Sequence, residues 1–215
     1  MLEYGKFETR GEDMLLHIIV TGPLAENCYV VGDNATLDAM IIDPGDNAEN
    51  ILDVVSKFKL KVGIIVLTHA HWDHFGALKE VKDATKAAFA LHENDVPLLD
   101  MSPAHMFGLS YPKPPKPDRL LHHSDTVKVG NMEFTVLHTP GHTPGGICLY
   151  GGGVLFSGDT LFNRGIGRTD IGGSFEDIMN SIKTHLLTLP EDTIVCPGHG
   201  PDTTIGEEKR ENPFL

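Results

Sequence analysis

The sequence predicts a mixed α/β fold in which buried strands alternate with amphipathic helices. The chain has 215 residues, of which 40% are apolar, so it can bury a sizeable core. Apolar runs bounded by Gly, Pro, Asn or Asp recur along the chain, which is typical of strands. Between some of these runs, apolar residues recur roughly every three or four positions, which is typical of helices. We therefore expect a single domain over residues 1–215.

Strands dominate the first half of the chain, and two helices interrupt them. One helix follows the third strand, with Asp46 or Asn47 as its side-chain N-cap, and the other covers about residues 75–85. The run at residues 61–67 is rich in β-branched side chains, so we expect it to be a buried strand. The strands are predicted at residues 14–20, 27–31, 39–42, 61–67 and 87–91.

A proline-rich stretch over about residues 100–119 breaks this pattern. Its prolines forbid a regular helix or a central strand, so we expect a long excursion over one face of the domain. Beyond it, the last clear helix begins at Ser174, whose side chain caps the helix, with Asp177 three residues later as in a capping box. The later strands are predicted at residues 126–129, 132–137, 147–150, 154–157 and 193–196.

Charge and composition argue against several classes of function. The 30 acidic residues outnumber the 17 basic ones and give a formal net charge of −13, which disfavours binding to nucleic acid or to an anionic membrane surface. The longest apolar run, residues 62–67, is too short to span a bilayer. Residues 1–10 carry no apolar signal-peptide core and the three cysteines form no CxxC pair, so we expect a cytoplasmic protein with reduced thiols.

The strongest motif is the segment HAHWDH at residues 69–74, in a chain with twelve histidines and only one tryptophan. It contains His69, His71, Asp73 and His74 directly after a predicted strand and before a predicted helix. Because side chains alternate along a strand, His69 and His71 are expected to point in one general direction. The turn into the helix changes the direction of the Asp73 and His74 side chains. Imidazole and carboxylate ligands suit zinc, iron or manganese, so one segment can serve two adjacent metals.

Three further turns follow apolar strands and carry one candidate ligand each. His142 lies in Thr-Pro-Gly-His-Thr-Pro-Gly, Asp159 in Ser-Gly-Asp-Thr, and His199 in Cys-Pro-Gly-His-Gly. Glycine and proline allow tight turns that bring such side chains to a common point. Together with the four residues of HAHWDH they make seven candidate ligands, which is enough for two metal sites with open positions.

The order of HxHxDH, a later His, an Asp and a final His resembles the metallo-β-lactamase superfamily, from about residue 14 to the C-terminus. The resemblance implies a four-layer αββα sandwich, with the site at one edge between the two sheets. It also implies two divalent metal ions, for which we expect zinc, with iron or manganese as alternatives. The implied ligands are His69, His71 and His142 for the first metal, Asp73, His74 and His199 for the second, and Asp159 for both.

Within the superfamily, the chain resembles the short bacterial glyoxalase II-like hydrolases. We expect no separate C-terminal helical domain of the kind that binds glutathione in the long glyoxalase II enzymes, because the chain ends soon after His199. The resemblance implies hydrolysis of a thioester such as an S-(2-hydroxyacyl)glutathione. The segments that carry it are IDPG at 42–45, GDTLF at 158–162, IGRTD at 166–170 and TIGEEKR at 204–210.

The implied mechanism uses a hydroxide that bridges the two metals. Divalent metals lower the pKa of bound water to about 7, which makes a nucleophile at neutral pH. The hydroxide would attack the acyl carbon, and Asp73 would bind metal and orient the hydroxide. The metals, Asp73, Asp159 and the hydroxide together leave a net charge of about +1, which suits a small anionic substrate.

Two other reactions fit the same motifs. A mononuclear iron persulfide dioxygenase would use His69, His142 and Asp159 as a facial triad, and such enzymes also resemble residues 167–170. A lactone or β-lactam hydrolase would use the same seven ligands. We rank thioester hydrolysis first, because the sequence retains every ligand of the second metal.

Four residues are candidates for substrate contacts. Arg164 and Arg168 follow the bridging aspartate closely, and either could clamp a carboxylate; an Arg168–Asp170 ion pair is the structural alternative. Trp72 either packs beside the metals or lines the mouth of the pocket. The proline-rich stretch, with Tyr111, is expected to form one wall of the pocket.

Overall fold

Two β-sheets lie face to face in the computed structural model, which describes residues 5–6, 14–101, 108 and 110–215. The first sheet contains β1 Gly5–Lys6, β2 Met14–Thr21, β3 Glu26–Asp33, β4 Asp38–Ile42, β5 Lys61–Val66, β6 Ala88–His92 and β7 Arg119–Leu121. These strands lie side by side in the order of the chain. Pairing is antiparallel from β1 to β4 and parallel from β4 to β7.

The second sheet packs against the first. It contains β8 Thr126–Val129, β9 Met132–His138, β10 Ile147–Gly151, β11 Val154–Gly158, β14 Ile194–Pro197 and β15 Thr203–Thr204, while β12 Leu161–Phe162 and β13 Gly165–Ile166 form a separate ribbon. The spatial order is β15-β14-β11-β10-β9-β8. All neighbours are antiparallel except β11 and β14. Therefore β9, β11 and β14 point the same way, and their carboxyl ends meet at one edge.

Helices cover the outer faces of both sheets. They are α1 Ala48–Lys57, α2 Trp72–Phe75, α3 Leu78–Thr85 and a 3₁₀ segment Glu93–Asp100 on the first sheet, then α4 Phe175–Ser181, a π-helical turn Ile182–Leu186 and α5 Ile205–Glu211 on the second. Ser174 Oγ accepts a hydrogen bond from the Asp177 N–H at 3.2 Å. The prediction that the Ser174 side chain caps the start of α4 is therefore confirmed.

Alternating side chains of the strands build three apolar cores. In β3, Cys28 and Val30 pack with α1 and α3, whereas Tyr29 and Val31 pack with the second sheet. A third core lies between the outer face of the second sheet and α4, the π-helical turn and α5. The layers are thus helix, sheet, sheet and helix, which confirms the four-layer αββα sandwich.

The predicted side-chain N-cap of α1 is wrong. Asn47 precedes the helix in a left-handed conformation (φ 53°) and makes no cap hydrogen bond with its side chain. Instead, Asn47 Oδ1 accepts the Gly22 N–H at 3.2 Å. The Asp46 carboxylate accepts the Asn47 N–H at 2.6 Å and the Tyr111 hydroxyl at 3.0 Å. Tertiary contacts therefore occupy both side chains that the sequence offers as caps.

The proline-rich stretch is described only in part. Residues 102–107 and 109, which belong to the predicted pocket wall, lie outside the described residues. Residues 112–117 form neither helix nor strand, as expected from their prolines. Among the described residues, every helix is too short or too polar to cross a membrane.

Replacing Phe156 by alanine tests how far the sandwich depends on contact between the two sheets. Phe156 is fully buried and packs edge-on against Tyr29, with ring centroids 5.2 Å apart. We expect Phe156→Ala to lower the free energy of unfolding by about 3–5 kcal/mol, because it leaves a cavity between the sheets.

Urea unfolding measures this loss, and Phe175→Ala is the matched control. Phe175 is 57% exposed, so its removal should change the free energy of unfolding by about 0.5 kcal/mol or less. A loss below about 1 kcal/mol for Phe156→Ala would contradict a close-packed interface between the sheets.

Candidate metal centre

Four strands end at the same edge of the sandwich, and a predicted metal ligand follows each of them. β5 leads into residues 69–74, β9 into the turn with His142, β11 into Asp159 and β14 into His199. The structure brings these side chains within a few ångströms of one another. The seven residues predicted as metal ligands thus lie together, although they come from four separate parts of the sequence.

His69, His71 and His142 form the first group. Each residue offers one ring nitrogen, and these three atoms lie within 4.8 Å of one another. His71 Nδ1 lies 3.1 Å from His69 Nε2 and 2.8 Å from His142 Nε2. His71 therefore faces the group through Nδ1, whereas the other two face it through Nε2.

Asp73, His74 and His199 form the second group, whose ligand atoms also lie within 4.8 Å of one another. Asp73 Oδ2 lies 3.3 Å from His199 Nε2 and 3.9 Å from His74 Nε2. The His74 side chain is completely buried, whereas that of His199 is 26% exposed. Solvent therefore reaches this group from the His199 side.

Asp159 lies between the two groups. Its Oδ1 atom is 3.4 Å from His74 Nε2. Its Oδ2 atom is 3.4 Å from His142 Nε2 and 3.7 Å from His199 Nε2. One carboxylate thus faces members of both groups, which is the position that a bridging ligand requires.

Hydrogen bonds orient four of the histidine rings so that Nε2 faces the site. The Nδ1–H groups of His69, His74, His142 and His199 donate to Thr68 Oγ1 (3.1 Å), Asp43 Oδ2 (3.0 Å), the Arg168 carbonyl (2.7 Å) and the Leu24 carbonyl (3.1 Å), respectively. Partners of this kind fix the tautomer and the ring orientation of metal-binding histidines. The lone pairs on Nε2 are therefore directed into the space between the two groups.

Two buried carboxylates lie behind His74. Besides the His74 ring, Asp43 accepts the Thr68 N–H at 2.7 Å and the Thr68 hydroxyl at 2.6 Å. Glu26 Oε1 lies 3.9 Å from His74 Nδ1, and Glu26 Oε2 accepts the Thr21 hydroxyl at 2.7 Å. Burial raises the pKa of Glu26 well above its usual range, although His74 opposes this shift. Neither carboxylate was predicted to be functional, because these contacts join distant parts of the sequence.

Burial and neighbouring charges divide the histidines of the site into two kinds. Burial lowers the pKa of His69 well below its usual range, and burial together with His142 lowers the pKa of His71 to about 4. Both rings are therefore neutral at pH 7, as metal ligation requires. Burial also disfavours a charge on His74, yet Asp159 and Asp43 raise its pKa well above the usual range. The carboxylates around His74 thus favour positive charge at its ring, which a metal ion bound to Nε2 would supply in place of a proton.

The donor atoms fit a pair of divalent metal ions. Among the described residues, His74 Nε2 and Asp159 Oδ1 are buried without a hydrogen-bond partner, and such atoms are costly unless something else satisfies them. Although burial raises the pKa of Asp159, the positive charge on His74 holds it well below its usual range, so this carboxylate is ionised. Nitrogen and carboxylate donors without thiolates suit zinc, iron or manganese.

Gly198 approaches the centre closely because it has no side chain. A Cβ atom on Gly198 would lie 2.3 Å from Asp159 Oδ1 and 2.7 Å from His74 Cε1. Both distances are far below van der Waals contact, so any other residue here would displace Asp159 or His74. The turn before His199 therefore requires glycine on steric grounds.

The candidates for substrate contacts make most of their polar contacts with other parts of the protein. The Arg168 guanidinium makes two hydrogen bonds of 2.8 Å with the Asp170 carboxylate, which is the structural alternative predicted for it. Arg164 pairs with Glu211. Trp72 is buried in the core between the first sheet and its helices and stacks on Tyr111, with ring centroids 6.1 Å apart.

Most histidines outside the metal pattern gather at a second place. Rings of His92 and His138 stack with centroids 4.1 Å apart, and those of His123 and His185 lie 4.8 Å apart. His122 lies beside the first pair. His17 stacks on Phe58, and His105 lies outside the described residues. In the part of the chain that the structure describes, these rings do not form a group of three converging metal ligands.

Comparison with known proteins identifies the family. The profile of the metallo-beta-lactamase superfamily matches residues 21–199. A curated relative from Haemophilus influenzae, named hydroxyacylglutathione hydrolase GloC, is 39% identical over 209 residues, which cover 94% of this chain and 98% of the relative. The chain therefore belongs to the metallo-beta-lactamase superfamily, and its candidate metal-binding residues place it among the metal-dependent hydrolases of that superfamily.

Solved structures show the same fold. BLEG-1, described as a B3 metallo-beta-lactamase, is 40% identical with a TM-score of 0.87, and the match covers 93% of this chain and 99% of that one. TTHA1623, solved in a di-iron-bound form, is 42% identical with a TM-score of 0.84 and coverage of 92% and 99%. ETHE1 from Myxococcus xanthus is 33% identical with a TM-score of 0.78 and coverage of 93% and 84%.

Adding a methyl group at Gly198 should disrupt the centre. We expect Gly198→Ala to weaken metal binding by at least about tenfold, because the new Cβ displaces Asp159 or His74. Metal content per chain, measured by elemental analysis after identical purification, reports the change.

Gly63→Ala is the matched control, since a Cβ on Gly63 meets no atom within 4 Å. It should retain the metal content of the wild type. Equal metal content in the Gly198→Ala protein would contradict the close approach of this turn to the ligands.

Proposed function

We propose that this protein hydrolyses a small anionic thioester, of the S-(2-hydroxyacyl)glutathione type, with two divalent metal ions at the candidate metal centre. The observation that carries the proposal is the position of Asp159 between two groups of ligand atoms. A shared carboxylate between two such groups suits a binuclear hydrolytic centre. In the reaction, water adds to the acyl carbon and the C–S bond breaks, which releases a 2-hydroxy acid and a thiol.

Each predicted ligand has a role in this proposal. His69, His71 and His142 would hold the first ion, and Asp73, His74 and His199 the second, with Asp159 in contact with both. When bound, the ions would acidify a water molecule and polarise the substrate carbonyl. Asp73 would also orient that water by accepting a hydrogen bond from it, since Asp73 Oδ2 lies on the side of His199, where the centre is open to solvent.

The charge of the centre supports an anionic substrate. The arginines expected to clamp a carboxylate, Arg164 and Arg168, are both paired with acidic side chains. Attraction for the substrate would then come mainly from the metal ions, whose charge exceeds that of Asp73 and Asp159. A small molecule also suits a chain with a net charge of −13, because nucleic acid would be repelled.

The similarity to GloC of Haemophilus influenzae supports a hydroxyacylglutathione as the substrate. We propose zinc as the resident metal, since its preferred ligands are those of both groups. The di-iron form of TTHA1623 supports iron as the alternative, and the same nitrogen and carboxylate donors also accept manganese.

A thioester assay tests the proposal directly. Purified protein incubated with S-lactoylglutathione should release thiol, and removal of metal by a chelator should abolish this release until zinc or iron is restored. His71→Gln should lower kcat/KM by at least about 100-fold, because it removes a ligand of the first group and not merely an outer partner.

His122→Gln is the matched control, because His122 is an exposed histidine beside Glu93 and Asp125, outside the centre. It should keep the wild-type kcat/KM. Thiol release that is absent in the wild type, or that survives complete removal of metal, would refute the proposal.

A persulfide dioxygenase is the second candidate. His69, His142 and Asp159 lie together, with His142 Nε2 3.4 Å from Asp159 Oδ2 and the two imidazole centroids 4.7 Å apart. Two histidines and one carboxylate form the facial triad of many non-haem iron oxygenases. The similarity to ETHE1 fits this candidate as well as it fits hydrolysis.

Metal stoichiometry and oxygen uptake separate the two candidates. Two metal ions per chain and no oxygen uptake with glutathione persulfide are expected for the hydrolase. One iron per chain with oxygen uptake would establish the dioxygenase. The same panel should include a lactone and a β-lactam, since BLEG-1 is described as a metallo-beta-lactamase and hydrolysis of either compound would use the same ligands.

A further inference from the structure

Two loops carry the first group of ligands, and a third segment touches both. The first loop, residues 68–74, follows β5, and the second, residues 139–146, connects β9 to β10. Asp95 lies in the 3₁₀ segment after β6, and its side chain is completely buried. It belongs to neither loop, and no part of the metal pattern includes it.

The Asp95 carboxylate accepts three hydrogen bonds from these loops. Oδ2 accepts the Ala70 N–H at 2.9 Å and the Thr143 hydroxyl at 2.8 Å, while Oδ1 accepts the Gly145 N–H at 2.6 Å. Ala70 stands between His69 and His71 in the sequence, and Thr143 directly follows His142. One buried carboxylate therefore connects the backbone on both sides of the first group.

A carboxylate satisfies all three of these donors. All three partners act as donors, and two of them are backbone N–H groups that cannot accept a hydrogen bond. An asparagine at position 95 would direct its NH₂ group at the Ala70 N–H in one orientation and at the Gly145 N–H in the other. A buried pair of donors that face each other is strongly unfavourable.

We propose that Asp95 is a positioning residue that holds the His69–His71 loop and the His142 loop at the separation needed to bind the first metal ion. The inference rests on the proposed function, because it assigns a metal to the first group. Asp95 accepts its hydrogen bond from the first loop at Ala70, between His69 and His71, whereas the His74 and His199 rings of the second group are oriented by Asp43 and by the Leu24 carbonyl. The effect of Asp95 should therefore be confined to one of the two metal sites.

Titration of metal-depleted protein with Co²⁺ tests this selectivity. The visible absorbance of bound cobalt reports coordination without any assay of activity, and the wild type should bind two ions. We expect Asp95→Asn to weaken one of the two binding steps by about 10- to 100-fold, the range typical of lost outer partners, and to leave the other unchanged. His71→Gln identifies which step belongs to the first group.

Asp33→Asn is the matched control. Asp33 is also completely buried and accepts three backbone N–H groups, from Ala35 (2.8 Å), Thr36 (3.1 Å) and Asn131 (2.5 Å). It ends β3, whereas the strand begins at the metal edge with Glu26. Its substitution should lower thermal stability and leave both cobalt-binding steps unchanged.

Four outcomes would overturn the inference. The first two are that Asp95→Asn binds cobalt in both steps as tightly as the wild type, or that it weakens both steps equally. The third is that Asp33→Asn loses the same cobalt affinity. The fourth is that the wild type binds no cobalt, which would overturn the proposed function as well.

If Asp95→Asn does not fold, Thr143→Val and Thr143→Ser decide the question. Valine keeps the shape of the threonine side chain but removes the hydroxyl that donates to Asp95. It should therefore weaken the cobalt-binding step of the first group by about tenfold. Serine keeps the hydroxyl and should restore wild-type binding. Identical binding by both variants would overturn the inference.

Discussion

Backbone hydrogen bonds that join the two sheets at one edge determine where every other part of the centre lies. The Ile147 N–H donates to the Thr68 carbonyl at 2.9 Å, and the Asn27 N–H donates to the Gly198 carbonyl at 2.8 Å. The first bond ties the end of β5 to the start of β10, and the second ties the start of β3 to the end of β14. These bonds join the sheets at the edge where β5 and β14 end, so the ligands that follow the strands of the two sheets face one another. The cost of burying their charges is then offset by the partners that surround them.

Much of the fold could be predicted, because its strands are apolar runs bounded by turn residues. The pattern at residues 126–129 coincides with β8. The departures arise where tertiary contact overrides local preference. The helix predicted at 75–85 corresponds to α3, which begins only at Leu78 and is separate from α2, and the Ala77 N–H between them donates to the Pro44 carbonyl at 3.0 Å. β7 lies at the end of the proline-rich stretch, where it pairs with β6, and nothing local to that stretch indicates a strand.

The same distinction applies to the candidate centre. Its seven predicted ligands are visible in the sequence, because chemically suitable side chains follow predicted strands, four of them in HAHWDH and three in short turns that contain glycine. The side chains that orient them are not visible in this way. Asp43 and Asp95 are ordinary acidic residues in the sequence, and each contacts partners 25 or more positions away. Their importance depends on the packing of the two sheets, so it can be read only from the structure.

We propose that one edge of the sandwich holds two metal ions that share Asp159. X-ray diffraction from crystals of protein purified without added metal, measured on both sides of the zinc, iron and manganese absorption edges, tests it most directly. We expect two anomalous peaks about 3.5–4 Å apart, one beside His71 and the other beside His199, with Asp159 in contact with both. A single peak, or peaks that leave Asp159 without a metal contact, would contradict it.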